Sequence, residues 1–360
     1  MQPWVSPGRN RIDSGAKSGR IIAVYRQFDT GSDAYNFGMA EAKHSVELPR
    51  GADMHLHVRD GSVLGGLVLC SALQFSRAII MPNTVPPITT AEMAVRYRER
   101  ILEALATEAK AAGIDPVPSF EPLMTLYLTD QCTPEIIAEA KRSGVVVACK
   151  LYPAGATTNS QSGVTDIESI FPVLAAMEEH GLVLCVHGEV TDPLVDVFDR
   201  ERVFIERVLR PIYQRFSRLR IVLEHATTEE AVNFVLSDET ERVAATLTCH
   251  HLLHTRSDIF RGGLNPHYYC LPVLKSERDR NALLIAATGG SGRFFAGTDS
   301  APHPRGKKGK LIRDVIAAKI RYIRQRYNAA RISSLGMSPV LPPSRMYSWV
   351  SWLLHISTGY

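Results

Sequence analysis

The chain has 360 residues, of which 45% are hydrophobic and 22% are charged, and this balance excludes a disordered or fibrous protein. The formal net charge of +4 conceals an uneven distribution: residues 305–360 carry eleven basic residues and one acid, whereas residues 44–304 carry 24 basic and 32 acidic residues. We therefore expect an acidic body joined to a basic tail, and no nucleic-acid partner.

The first segment, residues 1–43, shows weak periodicity and many Gly, Ser, Asn and Asp residues, which predicts a poorly ordered extension. It lacks the basic-then-apolar pattern of a secretory signal, but a transit peptide stays open because residues 1–28 hold five basic residues and one acid. Six scattered cysteines indicate reduced thiols, and no apolar run is long enough to cross a bilayer. We expect a cytoplasmic protein without a membrane partner.

Residues 44–304 repeat one pattern, in which a short apolar, β-branched run ends in a polar or ionisable residue and a helical period follows. The runs end at His57, Asn83, Lys150, His187, His225, Thr248 and Asp299, and a further strand near Ser119–Leu128 makes eight. Helices are predicted over Ala91–Ala112, Pro134–Ser143, Ile167–His180, Val195–Phe216 and Thr228–Leu236. Eight such units predict an α/β fold, a (β/α)8 TIM-type barrel with its site at the strand C-termini. The alternative, an open doubly wound sheet, lacks its Gly-rich phosphate turn.

The first predicted strand of this barrel carries His55 and His57, whose spacing of two places both imidazoles on one face. Histidine nitrogens are common zinc ligands. His187, His225 and Asp299 end later strands at the same mouth, where a buried imidazole or carboxylate needs a partner. The five residues together predict a metal site.

Lys150 ends another strand at this mouth, where neighbouring cations would disfavour its ammonium form. An isolated lysine in this position could equally point outward or pair with an acid. A neutral lysine amine, however, can add carbon dioxide and become a carbamate that bridges two metal ions. We therefore predict a binuclear metal site around N6-carboxylated Lys150.

Seven segments, in this order and spacing, resemble dihydroorotases of the single-function bacterial and fungal type, members of the amidohydrolase superfamily. They are DMHLHVRDG, MPNT, CKLYPAGATTNS, CVHGE, LEHATT, HYYCLPVLK and GTDSAPH. The resemblance spans residues 44–304, and the segment KLYPAGATTNS separates the chain from hydantoinases and allantoinases.

The resemblance implies two zinc ions per chain. One would be held by His55, His57, carboxylated Lys150 and Asp299, and the other by Lys150, His187 and His225. It also implies that Asp299 is the catalytic residue that takes a proton from the attacking water and passes it to the departing amide nitrogen. The zinc pair would activate that water and polarise the amide carbonyl.

The resemblance further implies six substrate-binding residues: Arg59, Asn83, Thr157, Thr158, Leu271 and His303. Of these, Arg59, Asn83 and His303 would hold the substrate carboxylate. A guanidinium is a natural partner for a substrate carboxylate, which suits Arg59. Asn83, without the resemblance, is more simply interpreted as a turn residue. The two threonines match a mobile loop that closes over substrate, and Leu271 would contact the substrate ring through its backbone.

After His303 the chain departs from the dihydroorotase pattern. Residues 305–360 form an atypical basic segment, with an amphipathic helix predicted over 310–331. This segment either replaces the closing helix of the family or results from a mispredicted gene model. Two kinds of function stay open: a dihydroorotase of pyrimidine synthesis, acting on a small-molecule substrate, or a catalytically impaired relative with a structural role. Another cyclic-amide hydrolase is a further alternative, and a homodimer stays open as well.

Overall fold

A computed structural model describes residues 20–24 and 45–302. These residues fall into two compact units that divide between Gly51 and Ala52. In the first unit, β1 (Arg20–Val24) pairs antiparallel with β2 (Ser45–Pro49). The predicted extension over residues 1–43 lies outside the described residues except at β1. The predicted tail at 305–360, with its helix over 310–331, lies outside them entirely.

Eight further strands form a single sheet in the order β10-β9-β8-β7-β6-β5-β4-β3. They are β3 (Gly51–Leu56), β4 (Phe75–Ile80), β5 (Glu121–Tyr127), β6 (Val146–Leu151), β7 (Val183–His187), β8 (Ile221–Glu224), β9 (Val243–Leu247) and β10 (Phe294–Ala296). Neighbouring strands run parallel. The predicted (β/α)8 barrel is therefore confirmed, and the open doubly wound sheet is excluded.

The first and last strands meet at a seam that closes the barrel. His57 N donates to Ser300 O at 3.0 Å, and Asp299 N donates to His55 O at 2.9 Å. Below these contacts, the buried Asp53 carboxylate accepts hydrogen bonds from the backbone N–H of Thr298 at 2.8 Å and from its hydroxyl at 2.6 Å. The seam thus passes directly beside residues that were predicted to bind metal.

The helices of the described part are α1 (Leu64–Ala72), α2 (Ala91–Ala111), α3 (Pro134–Arg142), α4 (Phe171–His180), α5 (Arg200–Phe204), α6 (Arg210–Arg215), α7 (Glu229–Leu236), α8 (Cys249–Leu253) and α9 (Glu277–Thr288). The five predicted helices are confirmed, and two of them start late. Helix α4 begins at Phe171, after a 3-10 turn at Glu168–Ile170. Helix α5 begins at Arg200 because Asp192 and Asp196 accept backbone hydrogen bonds and fold residues 192–199 into turns. A π-helical turn, Ile205–Leu209, joins α5 to α6. Within the described ranges, no helix combines the length and apolar character that a membrane crossing requires.

Apolar side chains pack in two layers, one inside the barrel and one between the strands and the helices. Strand β6 shows the alternation clearly: Ala148 belongs to the interior cluster, whereas Cys149 and Leu151 pack outward. The same alternation directs Lys150 into the barrel, where it is fully buried.

Candidate active site

The first group of candidate metal ligands, His55, His57 and Asp299, converges at the top of the seam. His55 Nε2 lies 3.2 Å from His57 Nε2, and each nitrogen lies 3.4 Å from Asp299 Oδ1. Among the described residues, this is the one group of three or more histidine, cysteine or carboxylate side chains arranged to share a metal ion. Both histidines are buried, so their ligand atoms are shielded from bulk water.

The second nitrogen of each ring faces an acceptor. His57 Nδ1 lies 2.8 Å from Asn83 Oδ1 and donates to it. His55 Nδ1 lies 3.2 Å from Glu224 Oε1, at ion-pair distance but without hydrogen-bond alignment. With the ring protons on these nitrogens, two bare Nε2 atoms and a carboxylate oxygen face one another, an arrangement that a cation stabilises. The donor set therefore fits a metal ion such as zinc.

His187 and His225 form a second pair next to the first group. His187 Nδ1 lies 3.2 Å from His225 Nε2, while His187 Nε2 lies 3.0 Å from Glu189 Oε2. The ring centroids of His225 and His55 are 5.2 Å apart, so the two groups are adjacent. Burial lowers the pKa of His55, His57 and His225, which favours the neutral imidazole that binds metals.

Lys150 is joined to the first group through Glu224. Its Nζ contacts one carboxylate oxygen of Glu224, and the other oxygen of that carboxylate faces His55. Both Lys150 and Glu224 are completely buried. Burial is the largest influence on the Lys150 amine and lowers its pKa to about 7, so a substantial fraction of the amine is neutral near neutral pH. The structure thus brings all six predicted metal ligands together.

Three site residues have left-handed backbone conformations: φ is 59° at Arg59, 42° at His225 and 47° at Asp299. Residues other than glycine rarely adopt this conformation, and such positions cluster at functional sites. In β8, strand alternation directs Val222 and Glu224 into the barrel. The left-handed turn at the next residue brings the His225 side chain to the same mouth.

Arg59 and Asn83, the predicted carboxylate-binding residues, lie next to His57. Arg59 is partly buried, and its Nε donates to Pro302 O at 2.9 Å. Asn83 is buried; its oxygen contacts His57, and its Nδ2 donates to Thr158 O at 3.1 Å. Asn83 therefore connects His57 to the loop after β6. Substrate binding by Arg59 and Asn83 stays a prediction.

The loop that contains Thr157 and Thr158 is docked against the wall of the site. Asn159 Nδ2 donates to Asn83 O at 3.2 Å, and the Tyr127 hydroxyl donates to Asn159 O at 3.2 Å. These contacts place the loop where it could cover a bound ligand. The closing role of the two threonines stays a prediction.

The two other predicted substrate residues are less constrained. Leu271 is partly buried in the segment between α8 and α9, where the carbonyl of the following residue, Pro272, lies 3.0 Å from His251 Nε2. Its contact with substrate stays a prediction. His303 lies outside the described residues.

Sequence reasoning did not assign three buried residues of the site: Tyr152, Glu189 and Glu224. Glu224 and Glu189 each face a histidine of the metal-ligand set, and Tyr152 extends the inward face of β6. A signal for Glu224 was present, because a carboxylate at the end of the apolar run RIVLE is costly to bury without a partner. His225, the next residue, was assigned as the metal ligand at the end of this strand instead.

Comparisons with known proteins identify the family. The amidohydrolase family matches residues 48–352 of the chain. A dihydroorotase from Aromatoleum aromaticum is 58% identical over 264 residues, which cover 73% of this chain and 74% of that protein.

Solved structures give the same picture. The crystal structure of a dihydroorotase from Campylobacter jejuni has a TM-score of 0.69 and 34% identity, covering 85% of this chain and 82% of that one. The dihydroorotase from Saccharomyces cerevisiae in complex with 5-fluoroorotic acid has a TM-score of 0.66 and 32% identity, covering 86% and 84%. Hydantoinase structures are also similar, but their identities of 15 to 18% show the shared fold alone.

Proposed function

The chain belongs to the amidohydrolase family, and on this premise we propose how it acts as a dihydroorotase. The reaction is the reversible hydrolysis of the cyclic amide of L-dihydroorotate to N-carbamoyl-L-aspartate, a step of pyrimidine synthesis. The observation that carries the proposal is the convergence of six buried or partly buried ligand candidates at the mouth of the barrel. The relatives named dihydroorotase support the choice of this cyclic amide over a hydantoin.

We propose that the site holds two zinc ions with Lys150 carboxylated between them. His55, His57 and Asp299 would hold one ion, His187 and His225 the other, and the Lys150 carbamate would contact both. The lowered pKa of Lys150 supports this, because only the neutral amine reacts with carbon dioxide. When bound, the two ions would supply Lewis acidity that activates water and polarises the ring amide carbonyl.

The protein side chains then orient the substrate and move the proton. Asp299, which is partly buried and faces both His55 and His57, accepts a proton from the attacking water and returns it to the ring nitrogen as the C–N bond breaks. Arg59 binds the substrate carboxylate as a guanidinium fork. The loop of Thr157 and Thr158 excludes water by closing over the ring.

The proposal also covers the location and the oligomeric state of the protein. We propose a cytoplasmic location, because all six cysteines are free thiols, two of them buried. We also propose a homodimer, which light scattering of the purified chain would test.

The deciding experiment measures dihydroorotate hydrolysis and zinc content on the full 360-residue chain. We expect two zinc ions per chain and turnover that Lys150→Ala abolishes together with part of the bound zinc. Lys141→Ala, on the exposed side of α3, is the matched control and should change neither. A well-folded wild-type chain that lacks zinc and turnover would overturn the proposal, and would favour the impaired relative.

A further inference from the structure

Tyr152 is a wall residue of the site for which the mechanism above has no role. It follows Lys150 by two positions and continues the inward face of β6. Its side chain is 2% exposed. Lys150 Nζ lies 4.8 Å from its ring centroid, and the ring centroids of Tyr127 and His187 lie at 5.0 and 6.4 Å. The ring is therefore packed among residues of the metal site.

The hydroxyl of Tyr152 is buried and has no hydrogen-bond partner among residues 20–24 and 45–302. The two other fully buried tyrosines in these ranges differ, because Tyr97 donates to Arg59 O and Tyr127 donates to Asn159 O. An unpaired buried hydroxyl destabilises the folded state relative to a phenylalanine of the same shape. A tyrosine at this position is therefore explained if its hydroxyl forms a hydrogen bond with a bound ligand.

The packing of the ring indicates where such a ligand would lie. The Tyr152 ring lies beside Lys150 Nζ at 4.8 Å and the His187 ring at 6.4 Å. Both are proposed metal ligands, so a partner for this hydroxyl would be a group bound at the metal site. A phenol there is a rigid donor, since its ring is fixed by packing on Lys150 and Tyr127.

We propose that the Tyr152 hydroxyl donates a hydrogen bond to an oxygen atom of the bound substrate. Dihydroorotate offers a carboxylate and two ring carbonyls as acceptors, and its ring nitrogens are donors that a hydroxyl could only accept from. The inference rests on the proposed function, because it takes the substrate from it. It adds a specificity-determining contact that rejects rings without an acceptor at this position.

The test compares Tyr152→Phe with Tyr213→Phe in the zinc-loaded full chain. Tyr213 lies on α6, and its hydroxyl donates to Asp238 Oδ1 at 2.9 Å. For Tyr152→Phe we expect unchanged zinc content, an equal or higher melting temperature, and a kcat/KM for dihydroorotate lowered about 10- to 100-fold. The affinity for 5-fluoroorotate, measured by calorimetry, should fall about 10-fold. Tyr213→Phe should lower the melting temperature and leave the kinetics unchanged.

The opposite pattern overturns the inference. If the hydroxyl pairs with another part of the chain, Tyr152→Phe will melt at a lower temperature with kinetic constants and analogue affinity close to those of the wild type. If the wild type binds 5-fluoroorotate but does not hydrolyse dihydroorotate, the proposed function fails while a weaker analogue affinity of Tyr152→Phe still supports the contact. A wild type that neither binds nor hydrolyses overturns both.

Discussion

Glu201, the second residue of α5, gives a demanding test of how the segment after β8 is held in place. Its completely buried carboxylate accepts the backbone N–H of Thr227 at 3.0 Å and that of Thr228 at 2.8 Å. It also accepts the two threonine hydroxyls at 2.9 and 2.6 Å. Because these threonines follow His225 by two and three positions, the carboxylate fixes the segment that positions this histidine.

Glu201→Ala should destabilise the protein by about 3–5 kcal/mol. The variant leaves two buried backbone N–H groups without an acceptor, at about 1–3 kcal/mol each, and removes a negative charge that acts on the buried Lys275. The hydroxyls contribute less, because they can turn and because Thr228 Oγ1 keeps its contact with Ala231 N at 3.1 Å. Glu201→Gln keeps one acceptor oxygen and should cost about 1–2 kcal/mol.

Urea unfolding of the zinc-saturated protein, followed by far-ultraviolet circular dichroism, measures these differences as shifts of the midpoint at constant slope. Glu206→Ala is the matched control: Glu206 is exposed, lies 3.5 Å from Arg202, and should contribute less than about 0.5 kcal/mol. The reasoning is refuted if Glu201→Ala and Glu206→Ala shift the midpoint equally. It is also refuted if Glu201→Gln is as damaging as Glu201→Ala.

Two functional predictions concern the site itself. Arg59→Met should raise the KM for dihydroorotate about 100-fold with a smaller effect on kcat, because it removes carboxylate binding common to substrate and transition state; an unchanged KM in steady-state kinetics contradicts this. Reloading of metal-free enzyme with zinc, at a constant concentration of dissolved carbon dioxide, should accelerate as pH rises through about 7, since the neutral Lys150 amine prevails above its lowered pKa. Measuring the rate of zinc uptake below and above that pH tests the direction of the change. An increase in rate that occurs only near the ordinary lysine pKa of 10.5 contradicts the prediction.

The barrel and its ligand candidates could be predicted from the sequence because two independent patterns coincide. Each apolar run was long enough for one strand, and its last residue was polar or ionisable, as at Lys150 and His187. Helix α1 was missed because Gly65 and Gly66 weaken a helical pattern. Tertiary packing explains Gly65: a side chain there would meet Glu108 Oε2 at 3.1 Å, so the glycine permits close contact between α1 and α2.

Glu224 could not be assigned from the sequence for a different reason. Strand alternation allows only one of two successive residues to face the barrel interior, so Glu224 and His225 compete for that position. The left-handed φ of 42° at His225 lets both side chains face the mouth of the barrel. No sequence pattern predicts this conformation, because a histidine adopts it only where its surroundings enforce it.

The seam has a consequence for the energetics of the whole barrel. Asp53 and Thr298, which it joins, are 245 positions apart in the chain, and His55 and Asp299 lie just above them. A metal ion held by His55, His57 and Asp299 would therefore act as a reversible cross-link that closes a very long loop, and closing long loops removes the most conformational entropy from the unfolded chain. Metal binding and barrel closure would then be thermodynamically linked. The ion would bind more tightly to the closed barrel, and the bound ion would stabilise the closed barrel.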